Sequence, residues 1–453
     1  MPMNACLMSL LVSMPFVALA EESKPVDLVH FRRLLSPQPE DVRQSMHQIA
    51  ENWQDGYTPL LIESLRFAQD PPTQRQIRTV LHEKTGLKKK SSLTDLWQHV
   101  WSQPIKNPHP KYSTFKAQLY RLIDPRFEEY FDEEPESTIR LDEIRWGGVY
   151  RDGIPPLKDP KRLKASEADY LDDRDVVFGV YFNGKARAYP KRILAWHEMV
   201  KDVVGGKSIN GVYCTLCGSM IVYDTRYEGK HYELGTSGFL YRSNKLMYDH
   251  KTQSMWSTIE GKPVVGPLVG KGIQLAPLTV VTTNWGEWKS RHPETTVLSL
   301  ETGHQRDYGE GVAYERYFST HELMFEIPTH LKDERLKNKE SILALRFGDG
   351  PKDKVAFSPA LLRKNPVYVH RHEQTSVVIL TDKSGASRVY QTEKENFVKW
   401  DQKKTAVDDQ GTEWIVTERA LIDSSGKTLS RYPSHNAFWF GWRSAYPETH
   451  LIQ

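Results

Sequence analysis

Cysteine is scarce in this chain: three residues among 453. Cys6 lies in the extreme N-terminal segment, so only Cys214 and Cys217 remain for chemistry in the body of the protein. A structural zinc site takes about four protein ligands. Two cysteines cannot supply them, and any further ligands must be His, Asp or Glu. Charge of one sign is also lacking. The 61 basic and 58 acidic residues leave a net charge of +3, which argues against a nucleic-acid binder, whose sequence would show a basic excess or stripe. Beyond the first twenty residues no stretch has about 18 uninterrupted apolar residues, so no later transmembrane helix is expected.

The N-terminal segment has its own pattern. An apolar run from Leu7 to Leu19 ends in Ala18-Leu19-Ala20, followed by Glu21-Glu22. Small residues at −3 and −1 before an acidic start read as a signal-peptidase site. Met1 to Cys6 contains no Lys or Arg, which departs from the usual leader. Cys6 precedes the apolar run and is not placed as a lipid acceptor. The expectation is a signal peptide over residues 1–20 and a periplasmic or secreted protein, with no integral membrane segment after cleavage.

Aromatics and turn formers are plentiful, with 12 Trp, 21 Tyr, 28 Gly and 27 Pro. They suggest a β-rich, turn-rich body, and 453 residues exceed one ordinary domain. Residues 21–135 nevertheless read as helical. Helices are expected over Pro39 to Trp53, Tyr57 to Phe67, Pro72 to Leu87, Ser92 to Trp101 and Tyr112 to Ile123, from apolar residues at helical spacing. A bundle or a HEAT-like stack would result, with Lys88-Lys89-Lys90 a solvated turn. Asp132 to Ser137 reads as an acidic linker.

After the linker the texture becomes that of strands. Val176 to Phe182 is a strand, Asn183-Gly184 a hairpin turn, and Ala186 to Tyr189 the return. Further hairpins are expected at Tyr227 to Lys230 and Ile259 to Lys262. Two stretches then repeat. Trp285 to Thr295 matches Trp439 to Thr449, and Asn210 to Tyr213 matches Asn365 to Tyr368. Looser matches pair Asp249 to Trp256 with Asp408 to Trp414, and Val177 to Ile193 with Leu343 to Leu361. The reading is an α+β protein: a helical region, then a mainly β body built from two related units, 140–325 and 326–453. On these offsets the segment from Ala195 to Gly206 is an insertion in the first unit. Val369 and His372 then stand opposite the cysteines.

Cys214-Thr215-Leu216-Cys217-Gly218 lies between an apolar strand end and the strand Met220 to Tyr223. A thioredoxin-type pair sits at a helix N-terminus, which lowers the thiol pKa; that context is missing. Three readings stay open. The pair is a structural disulfide or two buried thiols. Or Cys214, Cys217 and His197 bind a metal, copper or zinc being favoured by soft ligands. Or a catalytic thiol, Cys214 or Cys217, is activated by a histidine. His197 is the histidine of choice, in a segment Ile193 to Val204 that reads as a helix beside the cysteine strand. His370 and His372 share one strand face as a second half-site. Ser237, Asn244 and Asp249 are candidates to line a cleft next to the cysteines, against the plainer reading that such residues build turns. The alternative to a Cys/His site is a non-catalytic binding or scaffold protein, with a protein or glycan partner held by the helices and Trp-rich surfaces.

These residues also carry a resemblance. Asp152-Gly-Ile-Pro-Pro156, Ala186-Arg-Ala-Tyr-Pro190, Trp196-His197-Glu198, Tyr213-Cys-Thr-Leu-Cys-Gly218, Ser237-Gly-Phe-Leu-Tyr241, Ser243-Asn244, Tyr248-Asp249, Thr252, Ser254, Trp256 and Gly266-Pro-Leu268 occur in this order. Residues 140 to 450 resemble the uncharacterised bacterial and archaeal family known as domain of unknown function 3179. Pro is commoner in that family where Thr215 stands here, and some members lack the second cysteine. The resemblance therefore implies that Cys214 is the more important thiol, and implies no particular reaction.

Overall fold

The computed structural model describes residues 24–88, 90–104, 108–131 and 134–453. The leader-like segment, Lys89 and Asp132-Glu133 of the linker lie outside the described residues. The protein is α+β, with N-terminal helices and a mostly β body of several sheets. Among the described residues no helix is long and apolar enough to cross a membrane.

Sequence signals account for the helices. Pro39–Glu51 starts on a proline and buries Val42, Met46 and Ile49 on one stripe. Pro71–Thr85 is capped by Asp70, whose carboxylate accepts from Thr73 N at 2.8 Å, and ends at Gly86. Leu93–Trp101 opens with a reciprocal Ser92/Asp95 capping box. Tyr57–Phe67 is buried over nearly its whole length, which makes it the central helix. The helices pack on the β body through Phe239. Its ring lies 5.3 Å from Tyr120, 4.7 Å from Phe127, 5.9 Å from Tyr130 and 5.3 Å from Phe131, all in edge-on geometries.

Three five-stranded sheets and a two-stranded hairpin, Arg226–Tyr227 with Lys230–His231, form the first part of the β body. One is an antiparallel five-stranded sheet that runs from Ile144–Trp146 through Leu234–Tyr241, Asn244–Asp249 and Met255–Ser257 to Lys262–Val265. The second contains Met199–Val204, Lys207–Cys214 and Ser219–Asp224 as an antiparallel meander. In the third, Val281–Asn284 lies antiparallel to Val176–Phe182, which pairs with Lys185–Pro190; Thr296–Leu298 then runs parallel to the latter. A helix, Trp285–Arg291, joins Val281–Asn284 to Thr296–Leu298, and Arg162–Lys164 pairs on the far side of the latter.

The second part follows the same order. Ser434–Phe438 lies antiparallel to Ser341–Arg346, which pairs with Lys354–Phe357, and His450–Ile452 runs parallel to that strand after the helix Trp439–Ala445. A meander, Val367–His372, Thr375–Thr381 and Ser387–Thr392, and a five-stranded sheet complete it. Individual bonds recur. Trp288 and Trp442 donate Nε1–H to the hydroxyls of Thr295 and Thr449 at 2.9 and 2.7 Å. Trp256 and Trp414 donate to Asp249 and Asp408 at 3.3 and 3.0 Å. Tyr223 and Tyr390 donate to the carbonyls of Thr258 and Thr417, both at 2.6 Å.

One sequence expectation is corrected here. Ile193 to Val204 is not one helix: Lys191–His197 is helical, Glu198 turns at φ 54°, and Met199–Val204 is a strand. Six residues rich in β-branched and long side chains find strand partners, and tertiary pairing overrides local helical spacing. In the C-terminal part Val369 and His372 lie within the strand Val367–His372, and the turn after Thr381 holds Gly385 at φ 87°, as the cysteine turn holds Gly218 at φ 59°. A short helix, Pro359–Lys364, precedes that strand, as Lys191–His197 precedes Met199–Val204.

Candidate functional site

The cysteine turn is built by two strands held in register. Cys214 ends one strand directly opposite Ser219, which begins the next. Four residues close the turn, and Gly218 takes the left-handed conformation that favours glycine. A β-carbon there would also stand 2.6 Å from the Phe438 ring. Cys214 and Cys217 are joined by a disulfide, with Cα atoms 5.3 Å apart. Cys217 N also donates to Cys214 Sγ at 3.3 Å.

Three contacts hold the turn from outside. The Tyr317 hydroxyl donates to Leu216 O at 2.7 Å. Phe438 N donates to Cys217 O at 2.7 Å. Leu240, Phe318 and Phe325 pack around the pair. The two cysteines are 2% and 1% exposed, so the sulfurs face protein and not solvent.

His197 is fully buried at the end of its helix. Its Nδ1 lies 2.9 Å from Pro155 O, which can only accept, so Nδ1 carries the proton. Nε2 then accepts from the Tyr308 hydroxyl at 2.6 Å, and that hydroxyl is itself 2.6 Å from Thr302 Oγ1. Burial holds the imidazole down at about 4, against a smaller opposing effect of the Pro155 bond. Both ring nitrogens are therefore engaged away from the cysteines. Glu198 is the neighbour that touches the cysteine strand: its carbonyl accepts from Tyr213 N at 2.9 Å, and its carboxylate receives Lys245 Nζ at 2.7 Å.

The three cleft candidates have structural partners. Ser237 Oγ donates to Leu246 O at 2.6 Å and accepts from Phe239 N at a register shift of its strand. Asp249 gathers the turn after its strand, accepting from the amides of Lys251 and Thr252 and from the Thr252 hydroxyl. Asn244 is the one brought to the cysteines. It donates to Gly441 O at 3.0 Å and Ser444 Oγ at 3.2 Å, while its buried Oδ1 has no hydrogen-bond partner among the described residues.

A cleft opens elsewhere, between the two parts of the β body. It encloses about 520 Å³. One wall includes Tyr227 and Gln274, and the other Arg346, Phe347, Tyr432 and His435. The Phe347 and Tyr432 rings stack at 5.4 Å. Arg346 donates to Glu260 O at 3.2 Å and accepts the Tyr432 hydroxyl on its own carbonyl at 2.8 Å. His435 is 9% exposed, and its Nε2 has no hydrogen-bond partner among the described residues. Burial first, and the Arg346 charge second, hold its imidazole down at about 3. None of these cleft residues stands out in the sequence.

Trp97, Trp101, Trp256, Trp285, Trp288, Trp400, Trp414, Trp439 and Trp442 are buried, and Trp53, Trp146 and Trp196 are half-buried. Most of the tryptophan in this chain builds core.

The fold and this site define an α+β protein whose β body carries a disulfide-closed turn between two strands. The chain belongs to the family described as Protein of unknown function (DUF3179), whose model matches residues 151–449. No curated protein and no solved structure matches the chain.

Proposed function

We propose that this is an exported, non-catalytic binding protein, in which the Cys214–Cys217 disulfide is structural and the cleft between the β halves holds a polyhydroxylated ligand of the glycan class. The observation that carries the reading is the cleft lining. Tyr432, backed by Phe347, offers an apolar face for a sugar ring, and Arg346, Gln274, Asp349 and His435 offer donors and acceptors around it. Isothermal titration of the intact protein with soluble chitooligosaccharides and muropeptides tests it. The expected result is saturable binding, weakened at least tenfold in Tyr432→Ala and Arg346→Ala and unchanged in Cys214→Ser/Cys217→Ser. Absence of binding to both ligand sets, or loss in the cysteine variant alone, overturns it.

Export follows from the leader-like run Leu7 to Leu19 and fits a disulfide kept in an oxidising compartment such as the periplasm. The β body is read as two related units, 140–325 and 326–453, after a helical domain over 21–135. The shared strand order and the three recurring hydrogen bonds support that duplication. The helical domain is read as a bundle around Tyr57–Phe67 rather than a HEAT-like stack, because one helix is enclosed by the others.

A second reading keeps chemistry at the cysteines, as a thiol or metal centre formed on reduction. Its support is the Cys217 amide, which donates to Cys214 Sγ and would stabilise a Cys214 thiolate. Copper or zinc bound by the reduced protein, and lost in Cys214→Ser, would favour it. A reduced Cys214 no more reactive to an alkylating probe than a model thiol would count against the catalytic form.

A further inference from the structure

Two loops of the C-terminal half meet away from the cysteines. One is the connection between Ser341–Arg346 and Lys354–Phe357; the other is the tight turn between Val367–His372 and Thr375–Thr381. They bring together Asp353, His372 and Glu373, whose donor atoms all lie within 4.8 Å of one another. His372 Nε2 and Asp353 Oδ1 are 2.9 Å apart. Asp353 Oδ2 accepts from Gly350 N at 2.9 Å, which fixes the carboxylate. The Phe347 ring stacks on His372 at 4.7 Å and fixes the imidazole. Both donors are thus oriented by neighbours, as metal ligands are.

A second observation is independent of this cluster. His370 lies two residues back on the same strand face, its ring 6.4 Å from that of His372. Its Nε2 is buried and has no hydrogen-bond partner among the described residues. A buried, unpaired imidazole nitrogen is costly, and coordination would relieve it.

We propose that Asp353, His372 and Glu373 bind one divalent transition-metal ion of the zinc class, with His370 beside them on the same strand face. Imidazole with carboxylates is a donor set for such ions rather than for calcium. Donors about 2.1 Å from an ion stand roughly 3 to 4 Å from one another, so the cluster needs only side-chain rotation to close. The ion would tie the 347–353 loop, which carries the cleft residues Phe347 and Asp349, to the neighbouring hairpin.

The test uses tag-free full chain and zinc alone, read by isothermal titration and by metal stoichiometry after gel filtration. The expected result is one zinc per chain. His372→Gln and Asp353→Asn, each shown to be folded by circular dichroism, should weaken binding at least tenfold, with Glu373→Gln as a third variant should either unfold. The Cys214→Ser/Cys217→Ser protein should bind as the parent does, which separates this site from a cysteine centre; zinc binding in Tyr432→Ala, which the sugar reading expects to lose its ligand, should also match the parent. Zinc below about 0.2 equivalents, unchanged affinity in the folded variants, or loss in the cysteine variant alone would overturn the proposal.

Discussion

Gly441 lies directly against Cys217: a β-carbon on Gly441 would stand 3.0 Å from Cys217 Cβ and 3.3 Å from Asn244 Oδ1. The helix Trp439–Ala445 of one half is therefore seated on the disulfide turn of the other. Neither neighbour is the free end of a flexible side chain. Gly441→Ala should overpack this contact and cost roughly 1 to 3 kcal/mol, measured as a lower urea midpoint at unchanged slope. A variant as stable as the parent would show that the turn can yield.

The disulfide itself spans a separation of three residues. The loop-entropy relation gives about 2 kcal/mol for so small a ring. Cys214→Ser/Cys217→Ser should thus fold, with stability reduced by about that amount. In the parent, alkylation in denaturant should label neither cysteine until reductant is added, as read by peptide mass. Labelling of both without reductant would contradict the bond.

Trp288 with Thr295, and Trp442 with Thr449, make the same indole-to-hydroxyl hydrogen bond in the two parts of the β body. Thr295→Val and Thr449→Val each leave a buried indole N–H unpaired, at a cost of roughly 1 to 3 kcal/mol. The two costs should be similar and additive within about 0.5 kcal/mol. Equilibrium unfolding of the single and double variants checks this, and a cost confined to one site would weaken the equivalence.

Part of this pairing is legible in the sequence, where Trp285 to Trp288 and Trp439 to Trp442 share the Trp-x-x-Trp spacing and each opens a short helix. The helix Tyr57–Phe67 and the strand Val176–Phe182 match their sequence limits residue for residue, since each has an uninterrupted pattern bounded by strong stop signals. Asn183-Gly184 forms the expected turn, with φ 47° and 79°. What sequence did not reveal depends on contacts distant in the chain. His197 is committed to Pro155 and Tyr308, 42 and 111 residues away. The cleft takes Tyr227 from one half and Tyr432 from the other, and no local spacing announces such a meeting.

Acid should loosen the fold in a defined window. His197 and His435 titrate near 6.5 when unfolded but near 4 and 3 when folded, because both are buried. Above pH 6.5 neither state binds these protons and stability is unaffected. As pH falls below 6.5 the unfolded chain takes them up first, so stability is lost by about 1.4 kcal/mol per pH unit for each histidine. Carboxylates such as Glu233, held down at about 2 chiefly by Lys158, contribute only at lower pH. Urea midpoints should fall between pH 6.5 and 5, and less steeply in His197→Gln. A flat profile over that window would refute the neutral, buried assignment.

The burial of tryptophan has an optical consequence. Indoles enclosed in both β halves and in the helical region should emit at short wavelength in the folded protein and shift to the red on unfolding. Intrinsic fluorescence is thus a faithful reporter of cooperative melting throughout the chain. It is a poor reporter of cleft occupancy, because the rings that line that space are Tyr227, Phe347 and Tyr432. A tryptophan introduced as Phe347→Trp would give the cleft a signal of its own against a background set mostly by buried indoles.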